Sequence, residues 1–280
     1  MPTVRTVFTL TSGRSGTNFL CGLLQRNARG CVVVHEPYAD WGNPTMFGLP
    51  IYDHAVGNHA AIHALLNKKA RRIERYAPRV YIETSHAFLK SYWDIAPQFF
   101  SNMSLIHLVR NPLQVARSEA NRELLIERWH LPFRSYRGRD GRRYFRWSLT
   151  GLEPIFSCFH AERLTRFQWY LIQWIEIENR AIQFLERFGK RGTCFTLHTP
   201  MGLNDQGQIG ALLRFLDVEP QTSTLVIDGN RNRTPARRTV VSTAEEDECR
   251  EVIARIPDQF LRIFQDSPYS SFGWTRWLRK

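Results

Sequence analysis

Short apolar runs flanked by turn-forming residues fall at 4–11, 31–35, 80–83, 105–109 and 193–197 and predict β-strands. Between and after them, apolar positions recur at three- and four-residue spacing and predict helices over 18–26, 58–76, 89–100, 112–128, 156–188 and 209–216. Nearly unbroken apolar strands alternating with helices imply an α/β protein. The expected architecture is a three-layer sandwich, a central parallel sheet covered by helices on both faces, and ligands of such sheets bind beyond the carboxyl ends of the strands. At the start of the chain Val4, Val7 and Leu10 alternate with polar neighbours, so this stretch reads as a strand and not as a leader or membrane anchor. The segment 129–155 breaks the alternation. From Trp129 to Thr150 it is dense in Arg, Tyr, Phe and Gly without a period, as expected of an inserted basic loop. With no repeat and no low-complexity linker, a single domain over 1–280 is expected.

Composition narrows the class. A hydrophobic content of 43% supports a full core, and a formal net charge of +12, carried mostly by arginine, calls for an anionic partner. Nucleic acid, an acidic membrane surface and a small polyanion all meet that demand. The five cysteines stand apart without a C-x-x-C pair, which fits free thiols in a reducing compartment and a cytoplasmic protein, and the nine histidines lack zinc-ligand spacing.

The first predicted strand runs into Thr11-Ser12-Gly13-Arg14-Ser15-Gly16-Thr17-Asn18 and then a helical pattern. Two glycines allow a tight turn that aims backbone N–H groups inward, and a helix start adds the positive end of its dipole, so an anion is stabilised there. Arg14 adds a full charge, and Thr17 and Asn18 add donors in the first helical turn. The segment lacks the lysine and glycine spacing of G-x-x-x-x-G-K-[ST] and is not G-x-G-x-x-G, which disfavours an ATPase, a kinase and a dinucleotide fold. Taken alone, it would serve equally as a tight turn whose Ser and Thr cap a helix.

A second anion-suited turn occurs at Arg110-Asn111-Pro112, where a strand ends, Pro112 opens a helix, and Ser118 follows two turns in. Alone, Arg110 would more often pair with a carboxylate. Together, Ser12-Gly13-Arg14-Ser15-Gly16-Thr17 and Arg110-Asn111-Pro112 with Ser118 resemble the two signature loops of the sulfotransferases that use 3′-phosphoadenosine 5′-phosphosulfate (PAPS), in order and in separation. The resemblance is nearer the bacterial and carbohydrate-type branch than the cytosolic small-molecule branch, and it implies a P-loop-like fold. It implies that the first loop, with Arg14 where many members carry lysine, embraces the 5′-phosphosulfate, and that Arg110 and Ser118 grip the 3′-phosphate. In the second half the match loosens: 167–186 resembles the family's long helix, and the run from Asn230 to Arg238, with Arg237 and Arg238, resembles a basic loop closing over the donor.

Sulfuryl transfer needs an in-line nucleophile, a base, and positive groups where charge redistributes. No carboxylate pair suited to magnesium is evident, and none is expected to be required. Two residues qualify as the base. Glu36, in Val34-His35-Glu36-Pro37, resembles the acidic base of members whose glutamate follows the second strand. His86, in Glu83-Thr84-Ser85-His86, resembles the catalytic histidine of the cytosolic branch, offset by one residue. The resemblance leans to Glu36; the ordinary alternative for each is a side chain that satisfies a loop backbone or pairs with an arginine. The acceptor is expected to be a small molecule, glycan or lipid bearing a hydroxyl or amine. The arginines and aromatics of 129–147 suit an acidic or sugar-bearing acceptor, and equally a surface loop. Trp274 and Trp277 suit contact with a membrane surface or packing on the domain. The rival functions are a nucleic-acid-binding protein using the arginine loops, disfavoured because strand-end loops make a pocket and not a stripe, and a nucleotide kinase.

Overall fold

The computed structural model describes residues 4–37, 44–76, 79–159, 163–227 and 240–280. Its centre is a parallel sheet of β1 (Arg5–Leu10), β3 (Cys31–Val34), β4 (Val80–Glu83), β5 (Met103–Val109) and β8 (Cys194–His198), in the order β3-β4-β1-β5-β8. The short strands β2 (Ala28–Arg29) and β9 (Glu219–Pro220) pair antiparallel at one edge. A hairpin of β6 (Ser135–Arg137) and β7 (Arg143–Phe145) gives the inserted basic segment a structure that its sequence does not announce.

Alternation along the strands sends side chains to two cores. Val7, Ile82, Ile106 and Leu108 face α1 (Thr17–Asn27) and α7 (Gln206–Leu216). Phe8, Leu10, Tyr81 and Leu105 face the other side. That larger core is covered by α2 (Leu49–Ala55), α3 (His59–Tyr76), α4 (Phe88–Ser91), α5 (Pro112–Arg128), α6 (Arg166–Arg187), α8 (Thr243–Arg255) and α9 (Asp258–Leu261). The expected α/β sandwich with a parallel sheet between helical layers is the architecture found. Trp274 and Trp277 pack against this core, Trp274 edge-on to Trp174 with centroids 5.7 Å apart. No helix among the described residues is long and apolar enough to cross a membrane.

Several helices depart from the sequence expectations. The helix expected over 89–100 is a single α-helical turn, α4, which ends where Tyr92 leaves helical backbone (φ −157°), followed by turns and a 3-10 turn at Ala96–Gln98, where Pro97 cannot donate to a continuing α-helix. The long helix starts at Arg166 and not at 156, since Thr165 caps it by accepting from the Gln168 amide at 3.2 Å. Helices α2 and α8 fall where no element was expected.

Two charged networks sit inside the larger core. Lys69, fully buried, pairs with Glu83, which also accepts from the Tyr81 hydroxyl at 2.8 Å. Glu178 accepts from His107 Nε2 at 2.9 Å and from the Tyr269 hydroxyl at 2.7 Å. Both carboxylates are therefore compensated, as buried charges must be.

Candidate active site

Central strand β1 lies between β4 and β5, so the segments leaving the ends of these three strands converge. The turn after β1 carries positive φ at Gly13 (108°), Arg14 (52°) and Gly16 (99°), which rotates successive N–H groups toward one concave side. The Ser12 and Ser15 hydroxyls both donate to the Gly13 carbonyl, at 3.3 and 3.1 Å, and both side chains are buried. Helix α1 then begins at Thr17 with no side-chain cap, leaving first-turn N–H groups for a ligand. Thr17 is buried and Asn18 is exposed.

Gly13 is fixed twice over. A Cβ there would come within 2.7 Å of Glu119 Oε1 and 3.2 Å of the His86 ring, at a φ that side chains avoid. Gly13→Ala is therefore expected to cost about 1–3 kcal/mol of stability by backbone strain, with the clash in addition. Denaturant unfolding measures it, and an unchanged midpoint would contradict this account of the turn.

The second loop joins the first directly. Asn111 Oδ1 accepts from the amides of Leu113 and Gln114 at 3.0 and 3.4 Å and sets the start of α5 at Pro112. Arg110, just past β5, donates Nη1 to the Arg14 carbonyl at 2.6 Å, while Arg14 Nε donates to Ser118 Oγ at 3.0 Å. Arg14, Arg110 and Ser118 are thus joined in one hydrogen-bonded cluster. Burial lowers the pKa of Arg110, and the neighbouring Arg14 charge lowers it further. Among the described residues no carboxylate pairs with Arg110, and its Nε is buried without a hydrogen-bond partner. At Arg14, burial likewise lowers the pKa, while the carboxylates of Glu119 and Glu36 oppose it.

The two candidate bases prove to be neighbours. Glu36, in left-handed backbone (φ 44°) beyond β3, has Oε1 3.1 Å from His86 Nε2 and 3.7 Å from His35 Nε2. Thr9 Oγ1 donates to the Ser85 carbonyl at 2.9 Å and fixes the approach to His86, while His35 Nδ1 donates to the Thr84 carbonyl at 2.7 Å. Burial would push the Glu36 carboxyl up, but His86, His35 and Arg122 outweigh it and bring it down to about 2. Burial and then Lys90 push His86 down to about 4, against the pull of Glu36. Near neutral pH, Glu36 is accordingly a carboxylate that accepts from a neutral His86 through Nε2, and His86 Nδ1 is left without a partner.

Three further residues border the site without any warning from sequence motifs. Arg122, one helical turn beyond Ser118, lies on its face of α5, and Glu119 is turned about 100° from it toward the core. Glu119 is fully buried, meets Arg122 Nη2 at 2.7 Å, and approaches Gly13. Lys90 is buried in an apolar stretch of α4. Four-residue spacing from Ser118 was the available signal for Arg122, and none marked Glu119. Of the basic loop expected to close over the donor, Arg237 and Arg238 lie outside the described residues. No group of three or more His, Cys, Asp or Glu suited to a metal occurs among the described residues.

No protein-family model matches the chain, and no curated protein matches it. Among solved structures it is similar to the sulfotransferase domain from the olefin synthase of Synechococcus PCC 7002, with 15% identity, a TM-score of 0.45, and coverage of 78% of this chain and 75% of that one. It is also similar to the sulfotransferase domain from the curacin biosynthetic pathway, with 13% identity, a TM-score of 0.47, and coverage of 98% of this chain and 96% of that one. Likenesses so distant leave the chemistry to be argued from the site's own residues.

Proposed function

We propose that this chain is a sulfotransferase that takes the sulfuryl group of PAPS and passes it to an acceptor hydroxyl or amine. The observation that carries this reading is the pairing of Arg110 with Arg14 at the rim of an N–H-lined turn, with no carboxylate on Arg110. Burial and the neighbouring Arg14 charge both disfavour the charged form of Arg110, and an anion relieves both; the 3′-phosphate and 5′-phosphosulfate of PAPS offer one such group to each arginine-bearing turn. Its sulfur is electrophilic, and its phosphate is a ready leaving group.

Arg110 and Ser118 hold the 3′-phosphate. Ser12 to Thr17 enclose the 5′-phosphosulfate with backbone N–H groups, and Arg14 moves from Ser118 to the bridging oxygen. The acceptor oxygen or nitrogen forms its bond to sulfur as the bond from sulfur to the bridging oxygen breaks. Arg14 stabilises the charge left on the phosphate, and Glu36 takes the acceptor's proton. Negative charge arriving beside Glu36 raises its carboxyl from its low resting value, which makes it a better proton acceptor. His86 orients that carboxylate. The hairpin β6–β7 and the segment leading to Trp147 border the acceptor side, where a small-molecule, glycan or lipid acceptor is read. The expected result with radiolabelled PAPS is label appearing in an acceptor from a panel of sugars, phenols and amines, without added magnesium. Release of no adenosine bisphosphate with any acceptor, alongside magnesium-dependent ATP turnover, would replace this reading with a kinase.

A further inference from the structure

Lys90 is unusual among the buried charges. Glu83 and Glu178 each have hydrogen-bonded partners, but the hydrogen bond of Lys90 goes to an uncharged group: Nζ donates to the Trp147 carbonyl at 2.6 Å. The side chain is fully buried, and no carboxylate among the described residues lies within ion-pair distance of it. A lysine so placed is costly unless it can shed its proton.

Its surroundings tie it to the site. Glu36, beyond β3, and Glu119, on α5, are the acidic groups near it; Arg122 on α5, Arg180 on α6 and His86 before α4 are the basic ones. Arg180 donates Nη1 to the Leu89 carbonyl at 3.0 Å and pairs with Glu176 at 2.8 Å. On α2, Asp53 is taken up by Arg139 and His54 by Asp94. Trp147, which accepts from Lys90, lies in the inserted segment just after β7, and its ring and that of Phe145 lie under the Arg122 guanidinium at 5.4 and 5.8 Å. The insertion is therefore fastened to the site at Lys90 and Arg122.

We propose that Lys90 is a positioning residue of the transfer site, whose amine fastens the inserted segment through the Trp147 carbonyl and takes one proton from solvent when a doubly phosphorylated nucleotide settles between Arg14 and Arg110. The proposal rests on the donor reading above. Burial lowers the amine, Glu119 and Glu36 oppose it, Arg122 and Arg180 reinforce it, and the result is about 7. Incoming phosphate charge raises that value, so the proton is acquired on binding, from solvent to Nζ, with no other bond changed.

Calorimetry with 3′,5′-adenosine bisphosphate at pH 7.5, in HEPES and in Tris, counts the proton. The wild-type enthalpy is expected to differ between buffers by more than that of Lys90→Met or Lys90→Arg, the difference corresponding to roughly half to three-quarters of a proton per nucleotide, because an amine with a pKa of about 7 is already partly protonated at this pH. Lys90→Arg keeps a donor for the Trp147 carbonyl but is charged throughout, so it decides the matter if Lys90→Met fails to fold. Equal proton counts in wild type and Lys90→Arg would overturn the proposal alone. Absence of bisphosphate binding by the wild type would overturn the donor reading, and this proposal with it.

Discussion

Arg14→Ala and Arg110→Ala are each expected to weaken binding of 3′,5′-adenosine bisphosphate by roughly a hundredfold or more in calorimetry. Each guanidinium is largely withdrawn from solvent, which lowers its pKa, and each bears on the other: Arg110 holds the Arg14 carbonyl while Arg14 reaches Ser118. Truncating one member of a desolvated charge pair costs about 2–5 kcal/mol, roughly thirty- to several-thousandfold in affinity. The two variants should differ in kind. Loss of Arg110 should also erase the preference for a 3′-phosphate over 5′-AMP, because the 5′ end remains served by the turn after β1. Loss of Arg14 should weaken both nucleotides. Lysine at position 110 keeps the charge but not the fork, and is expected to recover only part of the affinity. Unchanged affinity in either alanine variant would contradict the assignment.

Glu36→Gln is expected to lower kcat by about 10²- to 10⁴-fold, the usual contribution of a positioned base, with donor affinity kept. His86→Ala tests the other half of the pair. His86 lies against Glu36, Phe47 and Gly13, and holds the carboxylate in place. Its removal should therefore cost less than loss of the base itself and should change the pH profile. In the free enzyme the Glu36 carboxyl is brought down to about 2, with His86 the largest lowering influence. Taking His86 away lets that carboxyl rise, so the acidic limb of kcat/KM should move toward higher pH. If Glu36→Gln stays active while His86→Ala is dead, the histidine is the base and the glutamate its orienting partner.

Much of this site is written locally in the sequence. A phosphate-cradling turn consists of neighbouring residues, and Ser12 to Thr17 show it because glycine is needed where φ is positive. Proline at the start of α5 likewise marks where Arg110 must stand. Strands β1, β3, β4 and β5 are visible because burial demands apolar runs, and that set Glu36 after β3, His86 after β4 and Arg110 after β5, at the same end of the parallel sheet. What stayed hidden depends on tertiary approach. That Glu36 and His86 form one pair follows from β3 and β4 being adjacent and from Thr9 pinning Ser85. Lys90 sits in an apolar stretch that passes for plain helix, and nothing in sequence says that its amine meets the carbonyl of Trp147. The hairpin of the insertion was hidden for another reason, since its strands are only three residues long and mostly arginine and tyrosine. Helix α8 was missed although Ser242 and Glu245 carry a capping signature, with Glu245 accepting from the Ser242 amide at 2.8 Å.

The claim beneath all of this is that the turn after β1 and the arginine after β5 act together on one nucleotide with phosphates at both ends. Calorimetric titration of the same protein preparation with 3′,5′-adenosine bisphosphate and with 5′-AMP isolates the 3′-phosphate. Binding of the bisphosphate at least about thirtyfold tighter, equivalent to about 2 kcal/mol for one phosphate on Arg110 and Ser118, is the predicted result. Equal affinities, or ATP binding more tightly than either, would contradict it.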